Sequence, residues 1–573
     1  MLGVAAPAPA ACSLARVLEL PVTMEGHTPT VPATVDGEQV RFEVDSGAFF
    51  STMSPGTAAQ LGLKRERVPD GLTVIGVGGE AATPSLVTVK SFGLAGAHIP
   101  KLQFLVVGNE FGQAGLLGQN LFSQFDMEYD LAHGAVRFFR ATGCDKAVIA
   151  YWAKDMAFST VRIQSVTRAE YHTVGDIFLD GARIAAMFDT GASTSILSLH
   201  AAAKAGVTPR SAGVEDGGYS WGLGRRRVKT WIGRFASIKI GDNEEIRNVR
   251  IRFGDIDNAG EATMLMGADF FLSHRVMVDN GSHRLFLTHN GGPVFNLSMD
   301  PADGDASPAN VAALAGPDPT DADGWSRRGA GYLARRDTAR ATADFRHAVK
   351  LAPGVAMYHR QLATALLTAD KKPEAMAELD AAIGAKKDDA DSLLMRGWLR
   401  LADDRAGAEK DADAAAAALP RQANDRLQLA GLFERLHAPA KAIGAYSDWI
   451  AVHPSDIAMV EALNGRCWVR GLANVELDGA LDDCNRAVKL SRKASGIVDS
   501  RAMIWFRKGD LTRARADYDL AIAADPKAAS SLFMRGVVAT RTGDKAAAAK
   551  DFAAAKAIDA DAAKLFADWD IKP

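Results

Sequence analysis

The chain carries one pattern twice, in the same order and at nearly the same spacing, and this duplication restricts its fold more than any other feature. Asp45-Ser46-Gly47-Ala48 and Asp189-Thr190-Gly191-Ala192 each follow a stretch that reads as a strand, Arg41-Phe42-Glu43-Val44 and Ala185-Ala186-Met187-Phe188. Nine residues ahead of each aspartate stands an Asp-Gly pair, Asp36-Gly37 and Asp180-Gly181, the dipeptide that two-residue hairpin turns favour. Leu116-Leu117-Gly118 and Leu265-Met266-Gly267 follow, and twelve residues beyond each glycine come Asp130 and Asp279 in matching apolar strands. Between these landmarks each copy has a glycine-laden segment, Thr73 to Glu80 in the first and Gly217 to Gly224 in the second. Short alternating strands with glycine-rich turns describe an all-β, barrel-like unit. The expected units span 18–140 and 171–289, with residues 141–170 as a connector.

At 573 residues the chain has room for about three or four domains. Its net charge of −3 and scattered basic residues give no electrostatic footprint for nucleic acid or an anionic membrane surface. No apolar run approaches the roughly 18 residues that span a bilayer, so the body of the protein is expected to be soluble. Residues 1–17 read as a leader: Met1 to Ala11 is either the remnant of a secretory signal or an Ala/Pro-rich extension. Four cysteines fall into two pairs, Cys12 with Cys144 and Cys467 with Cys484. An even count in separate pairs leans towards an oxidising compartment, with free buried thiols as the alternative. The expected location is therefore exported, in a bacterial periplasm or secreted, and otherwise the cytoplasm.

From Asp300 to Asp323 the composition turns to Pro, Ala, Asp and Gly without a Lys or Arg, within an expected linker of 290–323. Residues 324–570 then follow a helical pattern with a period of about 34 residues. Trp325, Gly329, Tyr332, Ala341, Phe345, Ala348 and Pro353 set the register, and Ala363, Ala375, Leu379 and Ala382 come one period later. Ala514, Tyr518, Ala521 and Pro526 are followed by Ala548, Phe552 and Ala555 near the end. These spacings match the tetratricopeptide (TPR) repeat, in which small residues admit a second helix and aromatic ones fill the gap between repeats. About seven repeats are expected. Their use in TPR proteins implies a peptide or protein partner, a structural extension being the alternative.

The first 290 residues resemble two tandem retropepsin-like aspartic protease domains, on the strength of the Asp-Ser/Thr-Gly-Ala loops, the glycine segments and the apolar-apolar-Gly motifs. That resemblance implies a pair of all-β barrels, followed here by an all-α TPR solenoid. It makes Asp45 and Asp189 the catalytic pair of an endopeptidase, because two close carboxylates share one proton and can act as base and acid on one water. It further implies that Ser46 and Thr190 brace one loop against the other, that Gly47 and Gly191 permit close approach, and that Ala48 and Ala192 leave room for substrate. Ile75, Gly76, Gly78 and Gly79, with Trp221, Gly222 and Gly224, would form the flaps. Leu117, Gly118, Met266 and Gly267 would support the loops. Phe49 and Ser193, which follow the active loops, depart from the retroviral pattern, so subsite preferences do not transfer. Each unit supplies one aspartate, so the expected arrangement is a monomer whose halves pair within the chain and act on a polypeptide without a cofactor. A non-catalytic scaffold with a retained peptide-binding barrel is the alternative.

Two other motifs have weaker claims. Gly218-Tyr219-Ser220-Trp221-Gly222 matches the G-x-S-x-G elbow of serine hydrolases, which needs a helix after the serine, whereas Leu223 to Ile232 reads as arginines and β-type residues. Gly76-Val77-Gly78-Gly79-Glu80-Ala81 imitates a dinucleotide loop but leads into no helix. The arginines 225–227 read as a solvated run that acidic substrate side chains could meet. No paired C-x-x-C or H-E-x-x-H pattern points to a metal.

Overall fold

The computed structural model describes residues 12–68, 72–77, 79–80, 84–107, 113–164, 172–220, 222, 228–256, 262–291, 294–295, 318–421, 423–453, 456, 458–491 and 494–572. Met1 to Ala11 of the expected leader, most of the expected linker and the arginines 225–227 lie outside them. Two compact units result, Met1–Lys387 and Asp388–Pro573.

In the first unit each Asp-Gly pair closes a hairpin. Thr28–Val35 runs antiparallel to Glu38–Val44, and Val174–Leu179 to Ala182–Phe188. Asp36, Gly37, Asp180 and Gly181 all have positive φ, at 52, 96, 47 and 79°, the conformation of a turn whose twist suits two adjoining strands. The aspartates add a second contact: Asp36 Oδ1 accepts from the Ser91 amide at 2.9 Å and Asp180 Oδ1 from the Ser237 amide at 2.7 Å. Alternation then sends Phe42 and Val44 into the first core, where Phe42 meets Phe92 and Phe104 at centroid distances of 5.4 and 5.5 Å.

Each half also crosses its own hairpin. Gly115–Leu117 pairs parallel with Glu38–Val44 and antiparallel with Thr52–Met53. Met264–Met266 does the same with Ala182–Phe188 and Ile196–Ser198. The loop after the hairpin, which carries the conspicuous aspartate, is thereby held against a strand that arrives from far along the chain.

A six-stranded sheet draws on both halves and on the segment that joins them. Its order is Ser13–Pro21, Ala135–Thr142, Asp126–Asp130, His274–Asp279, Arg284–His289 and Ser159–Arg162. The halves join at its centre, where Met127, Glu128 and Tyr129 face Val278, Met277 and Val276. Glu128 is fully buried there and accepts from Arg137 at 2.5 Å, Arg275 at 2.9 Å and Tyr151 at 2.9 Å, the multiple pairing that a buried carboxylate requires. The outer strand Ser13–Pro21 begins inside the stretch expected as leader, and Cys12 forms a disulfide with Cys144. Residues 141–170 supply the edge strand Ser159–Arg162 as well as joining the halves.

The first unit also contains helices Ala322–Ala334, Thr338–Leu351, Ala356–Thr368 and Lys372–Ala385. The first starts within the expected linker because the Asp321 side chain caps it, accepting from the Gly324 amide at 2.6 Å. This helix lies on the β body. A Cβ at Gly331 would stand 2.8 Å from the Ala132 carbonyl oxygen, and the His27 ring nitrogen Nε2 is 2.8 Å from the Ala334 carbonyl.

The second unit is all-helical among the described residues, from Ala390–Arg400 to Lys545–Ile558 with a short Lys564–Ala567 at the end. Small residues open the seams: a Cβ at Gly536 would meet the Phe552 ring at 2.7 Å. An ion pair recurs across successive helix hairpins. Arg466 with Asp483, Arg501 with Asp517 and Arg535 with Asp551 each form two hydrogen bonds at 2.7 Å, the forked geometry that favours arginine. Arg328 and Asp344 repeat it in the first unit. Cys467 and Cys484 are joined by a disulfide between Met459–Ala473 and Leu477–Leu490. No helix among the described residues is long and apolar enough to cross a membrane.

Candidate active site

Asp45 and Asp189 emerge from matching strand ends. The Asp45 amide donates to the Leu117 carbonyl at 3.0 Å and the Asp189 amide to the Met266 carbonyl at 2.9 Å. Each carboxylate then folds back on its own loop. Asp45 Oδ1 accepts from the Gly47 and Ala48 amides at 2.9 and 2.8 Å, and Asp189 Oδ1 from Gly191 and Ala192 at 2.9 and 3.2 Å. The carboxyl of each half lies over the glycine of the other. A Cβ on Gly47 would overlap the Asp189 carboxyl, and one on Gly191 would overlap that of Asp45. These two glycines are needed for lack of bulk.

The hydroxyls interlock the loops. Ser46 N donates to Thr190 Oγ1 at 3.0 Å, and Thr190 N to Ser46 Oγ at 2.9 Å. Each hydroxyl then donates across the seam: Thr190 Oγ1 to the Val44 carbonyl at 2.6 Å and Ser46 Oγ to the Phe188 carbonyl at 2.8 Å. Ser46 and Thr190 are each 1% exposed, so the four bonds are shielded from competing water.

Gly118 and Gly267 sit beneath the loops, where a Cβ would lie 2.8 Å from the Ala48 carbonyl oxygen and 2.6 Å from that of Ala192. Gln119 N and Ala268 N donate to those same carbonyls at 2.8 and 2.7 Å. A further brace escaped the sequence reading. Ser51 Oγ donates to Asn120 Oδ1 at 2.8 Å and accepts from Gly118 N at 3.0 Å. Ser195 repeats this with Asp269 at 2.7 Å and Gly267 N at 2.9 Å. Ser51 and Ser195 stand at the same offset from their aspartates, which was the available signal. Gln119 Nε2 also donates to the Ser46 carbonyl at 2.7 Å.

Burial and the proximity of Asp189, with a further contribution from Glu43, hold the Asp45 carboxyl well above the usual carboxylate range. Burial also raises Asp189, although the hydrogen bond from Asp45, the Gly191 and Ala192 amides and the charge of His172 pull the other way. Two like charges buried side by side disfavour ionising both, so the two carboxyls titrate as a pair. His172 was not anticipated; its ring lies 5.9 Å from that of Phe49.

The first glycine segment is a hairpin, Ile75–Gly76 against Gly79–Glu80. The second belongs to the pairing of Glu215–Ser220 with Val228–Ile240. They approach each other: a Cβ on Gly222 would lie 3.3 Å from Val77 Cβ. Gly78, Trp221 and Gly224 lie outside the described residues. The element following Ser220 is a strand, so the serine-hydrolase elbow is not formed, and the strand Ser85–Thr88 follows the loop that imitates a dinucleotide site. No group of metal-ligating side chains occurs among the described residues.

Residues 31–121 match the aspartyl protease family model, and residues 176–274 that of the gag-polyprotein aspartyl proteases. Asp45 and Asp189 fall inside the two matches. A tetratricopeptide repeat protein of Parabacteroides merdae is 17% identical, with 43% of this chain and 97% of that one covered at a TM-score of 0.35. For Pseudomonas aeruginosa pilF the identity is 18%, the coverage 42% and 92%, and the TM-score 0.26. YrrB, a TPR protein with an unusual peptide-binding site, is 16% identical over 39% of this chain and 96% of that one, at a TM-score of 0.24. No curated protein matches the chain. Two domains of the N-terminal half thus match aspartyl protease family models, and an all-helical repeat region follows them.

Proposed function

We propose that the chain is an aspartic endopeptidase whose single active site forms between its two β halves, with Asp45 and Asp189 as the catalytic pair. The observation that carries this reading is the reciprocal seating of each carboxyl over the other half's glycine, locked by Ser46 and Thr190. In the productive state one carboxyl is protonated and the other ionised. The ionised carboxylate takes a proton from a water whose oxygen attacks the peptide carbonyl carbon, while the protonated carboxyl donates to the carbonyl oxygen. Proton return to the amide nitrogen then lets the carbon–nitrogen bond break, releasing an acid and an amine. The glycine segments act as flaps that exclude bulk water once substrate is seated.

The helical repeats serve as an arm that holds a polypeptide, either the substrate or a partner. The paired cysteines at both ends of the chain favour an exported, oxidising setting. Incubating the purified protein with a mixed peptide library, with and without a statine-type inhibitor, tests the activity. Inhibitor-sensitive cleavage is expected, and intact peptides across the acidic and neutral range would overturn the reading.

A further inference from the structure

The two halves share the aspartate, hydroxyl, glycine and alanine of the active loop but differ in kind two residues before the aspartate. Glu43 stands two residues before Asp45, and Met187 two before Asp189. Side chains alternate along a strand, so each lies on the face opposite its half's core residues, Phe42 and Val44 or Ala186 and Phe188. Met187 shows what that face meets. It joins an apolar cluster with Ile196, Val228 and Ile256, against which Ala192 of the active loop and Val77 of the first flap also pack. The duplication gives Glu43 the corresponding strand position in the first half, near enough to Asp45 and Asp189 for their charges to act on one another.

Glu43 is 7% exposed, and its carboxyl makes no hydrogen bond with a described residue. Arg41, on the same strand, is committed to Glu25 and Thr30, at 2.9 and 2.5 Å. Burial, with added like-charge repulsion from Asp189 and Glu25, pushes the Glu43 carboxyl up to about 8. A buried carboxyl without a partner is costly to ionise. An incoming cation supplies the missing partner and leaves the carboxylate in a charge-assisted hydrogen bond.

We propose that Glu43 selects a basic side chain, lysine or arginine, in the substrate residue that flanks the scissile bond on the first half's side, while the Met187 side takes an apolar one. This rests on the peptidase reading and narrows it to a substrate class. Basic side chains gain a buried partner in the complex, whereas an apolar one would leave Glu43 buried and unpaired, and such unpaired groups discriminate strongly. Seating the cation also releases the proton that Glu43 holds when the cleft is empty.

The full chain would be tested with peptides identical except for lysine, arginine, norleucine or glutamate on either side of the scissile bond, and with non-cleavable statine analogues of the lysine and norleucine peptides. The variants are Glu43→Gln and Glu43→Met, the second giving the first half the residue of the other; a cooperative melting transition would establish that each folds. On one side of the bond the wild type is expected to prefer lysine over norleucine by roughly tenfold or more in kcat/KM and in analogue affinity. Glu43→Met should abolish or invert that preference, with Glu43→Gln intermediate. Cleavage without a basic preference, or a preference unchanged by both substitutions, would overturn the proposal and leave the peptidase reading standing. Analogue binding with the lysine preference but no cleavage would support the Glu43 pocket and overturn the peptidase reading. Neither binding nor cleavage would overturn both.

Discussion

Ser46 and Thr190, 144 positions apart in the chain, each receive a hydrogen bond from the other's backbone amide and donate one to a carbonyl of the opposite half. The bond directions make each half a structural part of the other's loop, and the relationship can be broken one side chain at a time. Thr190→Val keeps the shape, but strands the Ser46 amide and the Val44 carbonyl in a buried seam. The expected cost is about 2–5 kcal/mol for two orphaned groups, read as a lower denaturant midpoint for the first unit, with Thr190→Ser recovering most of it. An unchanged midpoint for the valine variant would contradict the account.

Asp45→Asn and Asp189→Asn should each lower peptide cleavage by about 10²–10⁴-fold or more while leaving the unfolding profile intact, because either change removes one member of a proton-sharing pair. Mixing the two inactive proteins also separates assembly modes. A site built within one chain stays dead in the mixture, whereas like-with-like pairing of halves across two chains would leave each single mutant with an intact site. Ser220→Ala should retain full activity.

Glu43 sets a pH dependence whose sign follows from its shift. Its carboxyl titrates near 8 in the fold against an ordinary 4.5, so the fold favours the protonated form. The stability it contributes is fully present below about 4.5 and is lost as pH rises through about 8. Denaturation of the first unit across that range should show a decline that Glu43→Gln reduces. The raised Asp45 acts in the same direction and remains in the variant, so the decline should not vanish. Because Glu43 helps to raise Asp45, Glu43→Met should also move the alkaline limb of the activity profile to lower pH. A limb that stays in place would refute the coupling.

Gly331 marks where the first repeat helix meets the β body, within 2.8 Å of the Ala132 carbonyl oxygen for any added Cβ. Gly331→Val should push helix Ala322–Ala334 off that surface at a cost of about 1–3 kcal/mol. Hydrogen exchange across the helix should rise while cleavage of a short peptide persists. Unaltered protection would mean that the contact is dispensable.

Cys467 and Cys484 close a loop with a sequence separation of 17. Chain-entropy reasoning assigns such a link about 3 kcal/mol. Replacing both by serine should lower the melting point of the second unit and leave the first unchanged. Mass mapping of protein from its native compartment should find the pair linked; free thiols there would remove support for an oxidising location.

Local chemistry made much of this site legible. An Asp-Gly turn, a strand and an Asp-Ser/Thr-Gly-Ala loop occupy adjacent residues, and repetition at one spacing marked Asp45 and Asp189 as counterparts. The supports that escaped notice depend on distant residues. The Ser51–Asn120 and Ser195–Asp269 braces each join side chains about seventy positions apart, and only the common offset from the two aspartates could have flagged them. Glu43 read as one more strand residue, since nothing in an Arg-Phe-Glu-Val run says which face will be closed by another half. The repeated arginine–aspartate clamps were recoverable from their regular spacing of 16 or 17 residues, but small and aromatic positions dominate a helical-repeat reading. The strand Ser159–Arg162 was hidden because its partner, Arg284–His289, is more than a hundred residues away.

The shared six-stranded sheet separates what was duplicated from what can stand alone. Cut apart, the halves would bare Asp126–Asp130 and His274–Asp279, two edges whose unpaired backbone groups are of the kind that recruit neighbouring chains. A fragment carrying one aspartate would therefore be a sticky piece seeking its complement. Fragments of the two halves produced side by side have a ready-made seam along which to reassemble, and the same seam would let a nicked chain hold together.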